Sequence, residues 1–240
     1  MRGLKLSSLI EALKKERGRL APEINVKKIA EYHRIQNSPG IDNAVDEMVK
    51  ELLETGISTT VESFQSDDKT FYQDYLTPGG WVANKGKLIL AETGEVLSDY
   101  NQDPIQLVQR SCPTEGYKKL EVYPIENLKE IIEEKPDLTN KIILTDKNVH
   151  KIKELIHDPF NASGIIFDGM KKVEGRDLEE MKDARQYTSF WWGSDEKKTF
   201  GFVITPAMGK KLREKCKQGE KVYVECQIES QFLNTPLTVL

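Results

Sequence analysis

Three histidines, three cysteines and a few Ser-x-x-Lys and paired-acid spacings are the residues of this 240-residue sequence that could carry metal or hydrolytic chemistry. His150 and His157 lie seven apart on one expected helix, about 10.5 Å along its axis, and a single ion with bonds of about 2.1 Å cannot take both. No HExxH pattern and no Asp/Glu/His cluster at helical spacing compensates, so these two are expected as surface or boundary residues. Cys112, Cys216 and Cys226 cannot all pair with one another, and no CxxC spacing occurs. They are expected as small buried or half-buried thiols. GxSxG, GxxxxGK[ST] and GxGxxG are all absent. Ser66-Asp67-Asp68-Lys69 and Ser194-Asp195-Glu196-Lys197 match SxxK, but twelve serines and 27 lysines give one or two such matches by chance. Glu133-Glu134 and Glu179-Glu180 sit among lysines, as solvated helix faces do. The chain is catalytically incomplete.

One segment could bind rather than react. Residues 186–193 hold Tyr187, Phe190, Trp191 and Trp192, four of the 19 aromatic residues. They suit a contact surface, either a partner interface or a lid over a substrate site. They also suit, and somewhat better, a core strand or a loop plugging the edge of a β domain. Adjacent tryptophans on a strand point to opposite faces, so both cannot enter one core.

The elements that must position these residues sit in a chain with 38% hydrophobic and 31% charged residues and a mean hydropathy of −0.54. That supplies a core and excludes a disordered chain. Apolar runs such as Ile142–Leu144 and Ile165–Phe167 are too short to cross a bilayer. Met1-Arg2-Gly3-Leu4-Lys5 leads to Lys14, Lys15, Arg17 and Arg19 without the apolar stretch of a signal peptide, so a cytoplasmic location is expected. Net charge is −4, and the Lys-Lys pairs are scattered beside acids. Neither nucleic acid nor a membrane is an expected partner.

Helices are expected first. Ser8-Leu9-Ile10-Glu11 fits a capping box, residues from Pro22 to Ile35 a second helix, and Ile41, Val45, Met48 and Leu52 a third, closed by Gly56. Ile57, Thr59 and Val61 alternate as in a strand. From about Ser66 the pattern turns to β. Leu88–Ala91 and Glu95–Leu97 form a hairpin around Thr93-Gly94, and Leu120–Tyr123 is a further strand. A β-α-β passage runs through Lys141–Thr145, a helix near Asn148–His157, and Gly164–Asp168. Phe202–Thr205, a helix over Ala207–Cys216, Lys221–Glu229 and Leu237–Leu240 complete an α+β chain.

Two sets of residues carry a family resemblance. Asn140–Asp146, then Asn161–Asp168, Gly201–Leu212 ("P-x-v-x-Is-x-x-x-G-x-x-L", with Gly201 in place of a common proline) and Gly219–Val224 resemble a protease-associated domain. His33-Arg34-Ile35-Gln36-Asn37-Ser38-Pro39-Gly40 and the helix after it resemble the opening of zinc-dependent aminopeptidases. That clan includes bacterial leucyl aminopeptidases, glutamate carboxypeptidase II and the transferrin receptor. Its pattern has glycine where Asn37 stands. In that family the protease-associated domain is inserted after this opening and the peptidase sheet resumes afterwards, as Asn234–Leu240 resembles.

The resemblance implies three parts. Residues 1–65 are N-terminal helices of an incomplete α/β peptidase domain, 66–232 a β-rich protease-associated domain with flanking helices, and 233–240 the start of the returning peptidase strand. His33, Arg34, Ser38 and Gly40 would be structural, holding the catalytic fold without binding metal. Zinc and its ligands would lie in a portion of the parent protein beyond these residues, and no metal or other cofactor is expected in this chain. The implied role is to cover a substrate cleft, with Tyr187, Phe190, Trp191 and Trp192 as lid or partner contact, or to mediate subunit contacts. The implied partners are the parent enzyme's peptide substrate and a further copy of the chain. The alternative is a free-standing protein- or peptide-binding module without enzymatic activity.

Overall fold

The computed structural model describes residues 6–19, 22–172, 174–193 and 195–240. Met1–Lys5, and Ser194 of the second SxxK match, lie outside the described residues. Three helices come first: α1 (Leu6–Arg19), α2 (Pro22–Ala30) and α3 (Pro39–Glu54). The capping box expected at Ser8–Glu11 does not form, because α1 already begins at Leu6 and Ser8 is inside it. The second helix stops at Ala30 rather than Ile35. There the exposed Arg34 guanidinium turns back to the Ile29 and Tyr32 carbonyls, and successive turns run through His33–Ser38. Cations belong at such a C-terminus, where carbonyls lack partners. α3 ends in a Schellman motif. Gly56, at φ +79°, lets its own N–H reach Leu53 O and the Ile57 N–H reach Leu52 O, each at 3.0 Å.

Ile57–Val61 is not a strand. The first strand, β1, is Glu62–Phe64, and it pairs antiparallel with the last, β11 (Leu237–Val239), so that Glu62 faces Val239 and Phe64 faces Leu237. The Ile57 N–H is instead committed to the end of α3, at Leu52 O. A two-stranded hairpin follows, β2 (Phe71–Tyr72) with β3 (Tyr75–Leu76).

Seven strands then form one mixed sheet: β4 (Gly80–Leu90), β5 (Val96–Asp99), β6 (Lys118–Pro124), β7 (Lys141–Thr145), β8 (Gly164–Phe167), β9 (Phe200–Val203) and β10 (Tyr223–Leu233), ordered β5-β4-β10-β6-β7-β8-β9. The β5-β4-β10-β6 half is antiparallel and the β6-β7-β8-β9 half is parallel. Parallel pairing requires crossovers. Helices α4 (Leu128–Glu134) and α5 (Val149–Ile156) provide the first two, capped by Asn127 and Asn148. The third, residues 168–199, has neither helix nor strand among its described residues, so Glu179-Glu180 lies in turns and not on a helix. The chain is therefore α+β. Phe202–Thr205 is shifted: β9 ends at Val203, because Thr205 instead caps α6 (Pro206–Lys217) through its hydroxyl and the Met208 N–H.

Strand alternation splits the core in two. Ile142, Leu144, Ile166 and Phe202 face α6 with Leu212, whereas Ile143, Ile165, Phe167 and Val203 face α5 with Val149, Ile152 and Ile156. A sheet covered on both faces yields the continuous apolar runs seen in β7 and β8. Each fully buried side chain of this size is worth about 1.5–3 kcal/mol. Among the described residues no helix is long and apolar enough to cross a membrane.

Candidate functional site

The residues 33–40 form a junction where the helices, the seven-stranded unit and the returning strand meet. Asn37 is fully buried with φ +59°, a left-handed conformation that glycine and asparagine reach most readily. This accounts for asparagine where the resemblance has glycine. Its amide Nδ2 donates to Ser66 O at 2.9 Å and to Pro78 O at 2.8 Å, and its carbonyl accepts from Thr235 Oγ1 at 3.0 Å. One side chain and its peptide thus tie together both connections between the two sheets. Gly40 must lack a side chain, since a Cβ there would press on the His33 carbonyl, 2.9 Å from its carbon. Ser38 occupies the N-cap position of α3 without capping it, because its hydroxyl donates to Ile35 O at 2.7 Å. Arg34, exposed, serves only the end of α2.

His33 reaches away from this motif into the seven-stranded unit. Its Nε2 is 2.9 Å from Gln109 Nε2 and its Nδ1 3.2 Å from Tyr100 Oη. The Tyr187 hydroxyl donates to Gln109 Oε1 at 2.8 Å, which leaves the Gln109 amide as donor to Nε2 and the proton of a neutral imidazole on Nδ1. Burial pushes the imidazole below its ordinary pKa, against a smaller raising influence from Asp103 and together with a lowering one from Arg34.

The aromatic segment, though not a strand, divides between core and surface. Phe190 and Trp192 are buried in the α5-side core, their rings 4.8 Å apart, while Trp191 and Tyr187 remain 38% and 50% exposed. Backbone bonds join Gln109 N to Thr188 O at 3.1 Å and Phe190 N to Gln109 O at 3.0 Å. Trp192 Nε1 donates to Arg110 O at 2.7 Å. The two residue sets flagged by sequence, some 150 positions apart, therefore meet through Gln109 and Arg110, which sequence reasoning missed.

Arg110 is the unusual group. It is 2% exposed with φ +62°. Its Nη1 donates to Ser189 Oγ and its Nη2 to Gln36 Oε1, both at 3.1 Å, while Nε is buried without a partner. The Trp191 ring lies 4.7 Å from the guanidinium. Burial lowers its pKa, and the opposing influences come from the phenols of Tyr187 and Tyr75. No carboxylate pairs with it among the described residues. A buried charge left uncompensated costs on the order of 3–5 kcal/mol. The signal available in the sequence was one arginine in the run Leu107-Val108-Gln109-Arg110-Ser111.

A cavity of about 390 Å³ opens at the C-terminal ends of β6–β9, lined by Glu126, Asp146, Lys147, Asp168 and Arg213 among others. Every acid there is paired: Asp168 doubly with Arg213, Glu126 with Lys217 at 2.7 Å, and Asp146 with Lys147 at 2.9 Å. Hydrogen bonding to Asp168 raises the Arg213 pKa although burial opposes it. Among the described residues no group of three His, Cys, Asp or Glu side chains converges as a metal site would require. His157 is bonded to Lys197 O at 3.1 Å, and His150 lies one helix length away on α5. The three thiols are free; burial pushes Cys112 up to about 11 and Cys226 up to about 12, and raises Cys216. The residues present do not fit a zinc centre.

No protein-family profile matches the chain, and no curated protein sequence matches it. Solved structures share its fold. A Peptidase M28 precursor from Shewanella amazonensis aligns with a TM-score of 0.60 at 12% identity over 95% of this chain and 53% of that one. A zinc aminopeptidase from Bacillus subtilis aligns with a TM-score of 0.52 at 13% identity over 85% of this chain and 41% of that one. The chain thus has the fold found in part of M28-type peptidases, and it spans about half or less of their length.

Proposed function

We propose that this chain is the non-catalytic N-terminal part of a zinc aminopeptidase-like protein, with residues 66–232 as its protease-associated domain. The observation that carries this reading is the β1–β11 pair. A strand that precedes the seven-stranded unit and a strand that follows it are hydrogen-bonded neighbours, which is the topology of a domain inserted between two strands of another sheet. The likeness to M28-type structures supports it. On this reading α1–α3, β1 and β11 belong to the peptidase unit, and the seven-stranded domain covers the substrate cleft or contacts another subunit. Zinc ligands then come from a portion that these residues do not supply, and the parent acts in the cytoplasm.

The test has two parts. The 240-residue chain is expected to leave leucyl p-nitroanilide intact and to retain no stoichiometric zinc after dialysis. Hydrolysis with one or two bound zinc ions overturns the reading. The coding sequence after the Leu240 codon is expected to continue in frame with a His, Asp and Glu ligand set, and a stop codon there overturns it. A second reading, a binding module without enzymatic activity, is favoured by the exposure of Tyr187 and Trp191 on an otherwise anchored segment. Capture of a peptide by the isolated chain, with that stop codon, selects it.

A further inference from the structure

We propose that Arg110 anchors a carboxylate-binding site, closed in this conformation by the ring of Trp191, and that its ligand is an acidic peptide. The word peptide rests on the peptidase reading above; the acidic class rests on Arg110 itself.

Arg110 is held among neutral groups. Ser189 and Gln36 take one N–H each, Nε–H takes none, and one face of the guanidinium lies under an indole. Arg213 and Lys153, by contrast, are paired with the carboxylates of Asp168 and Glu196. A hydroxyl and an amide oxygen offer partial charges where a planar guanidinium is built for a full one in bidentate geometry. Trp191 is 38% exposed, so solvent reaches the ring that covers the cation. Lys153 Nζ holds the Trp191 carbonyl at 2.5 Å and Trp192 is buried beside it, so the indole can swing outward while its backbone stays fixed.

The rim fits a peptide. Tyr187, 50% exposed, is bonded to the neighbouring Gln109, and Tyr75, 57% exposed, exerts an electrostatic influence on the cation. Tyr75 pairs across the β2–β3 hairpin with Tyr72, which in turn meets Phe64 edge-on at 6.0 Å. Aromatic walls around a buried cation accept an apolar residue beside an acidic one. A carboxylate can come from a glutamate side chain or from a C-terminus, and the peptides chosen separate the two.

The 240-residue chain is titrated with Leu-Glu-amide, Leu-Gln free acid and Leu-Gln-amide, without added zinc, by calorimetry and tryptophan fluorescence. At least one of the two acids is expected to bind about tenfold or more tightly than the carboxyl-free peptide, and which acid wins identifies the source. Arg110→Gln is expected to erase that difference. Trp191→Ala, which removes the roof and leaves the core residues in place, is expected to strengthen acid binding at least severalfold, and it decides the matter if the arginine variant does not fold. Equal or absent binding of all three peptides to the wild-type chain overturns the proposal. So does an acid preference that survives Arg110→Gln, an unchanged preference in Trp191→Ala, or displacement of the peptide by equimolar inorganic phosphate. Binding is read without hydrolysis, so failure here leaves the peptidase reading standing. Failure of the zinc and coding-sequence tests likewise leaves the acid preference measurable.

Discussion

Replacing Gly209 with alanine should destabilise the protein through one carboxylate. A Cβ built on Gly209 falls 2.5 Å from Asp168 Cγ and 2.7 Å from its Cβ, with Oδ2 nearer still. Those distances are far inside ordinary contact, so Asp168 must leave its place. The Asp168 side chain is 3% exposed and grips Arg213, one turn further along α6, with both oxygens. Moving it breaks the pair and strands a charge, which costs about 3–5 kcal/mol. Alanine returns about 1 kcal/mol of helix propensity. The net loss is therefore about 2–4 kcal/mol, or roughly 4–16 °C in Tm for a chain of this size. Urea unfolding followed by tryptophan fluorescence measures it. The discriminating step is the double variant. With Asp168→Gly already present, none of the three Asp168 atoms that crowd the new methyl remains, and Gly209→Ala should become neutral or stabilising by up to about 1 kcal/mol. Equal destabilisation in the two backgrounds, or a single variant as stable as the parent, refutes the reasoning.

Other outcomes follow from the junction and the aromatic segment. Asn37→Gly keeps the φ of +59° and loses two amide bonds, so it should cost about 1–3 kcal/mol and quicken proteolysis within residues 65–79. Asn37→Asp, which points a carboxylate at two carbonyls, should be worse in both assays; the reverse order contradicts the bonding described. The His33 imidazole is held below its ordinary pKa when folded, so the unfolded chain takes up the proton first. His33 should cost no stability above pH about 6.5 and lose it as pH falls from there to the folded pKa. His150 and His157 are shifted the same way, so the His33 share is the part of the pH 5 to 7.5 difference in urea midpoint that vanishes in His33→Gln. Trp192→Ala should cost about 3–5 kcal/mol, because the ring stacks on Phe190 and its N–H serves Arg110 O. Trp191→Ala should cost about 1–2 kcal/mol, the worth of one cation–π contact between a half-exposed ring and a buried guanidinium; equal melting temperatures for the two variants would contradict the split between core and surface.

The parallel half of the sheet was readable because its signals are local. Ile142–Leu144 and Ile165–Phe167 are short apolar runs bounded by turn residues, and α5 between them carries apolar positions at 149, 152 and 156. In the antiparallel half the sites of β5, β6 and much of β10 were read as strands too, but β4 was not read whole. Only the end of β4 was visible at Leu88–Ala91, since Gly80-Trp81-Val82-Ala83-Asn84-Lys85-Gly86-Lys87 mixes glycine, asparagine and lysine with few apolar residues. It is a strand because β10 pairs with it along its whole length. Gly201 reads as a strand breaker, yet β9 runs through it, and a side chain there would lie 2.9 Å from Val108 Cγ2. The site divides in the same way. The motif residues His33, Arg34, Ser38 and Gly40 were visible through the family resemblance, and the aromatic segment by its concentration of rings. Gln109 and Arg110, which join them, were not, because a hydrogen bond across 70 or more positions leaves no periodicity to read.

The β4–β10 ladder also governs how the protein can be made. Leu90 pairs with Val224 and Gly80 with Leu233, so β4 leaves the ribosome roughly 130–150 residues before its partner does. At ~5–20 residues per second that is on the order of 7–30 s of translation, during which β5 can cover one edge of β4 and the other stays open. An open edge invites pairing with a neighbouring nascent chain. Lys85, which in the finished protein reaches Glu229 of β10 at 3.8 Å, stands on that strand throughout the wait. Until Glu229 arrives it is a charge on an open edge, the device by which sheet proteins discourage edge-to-edge pairing.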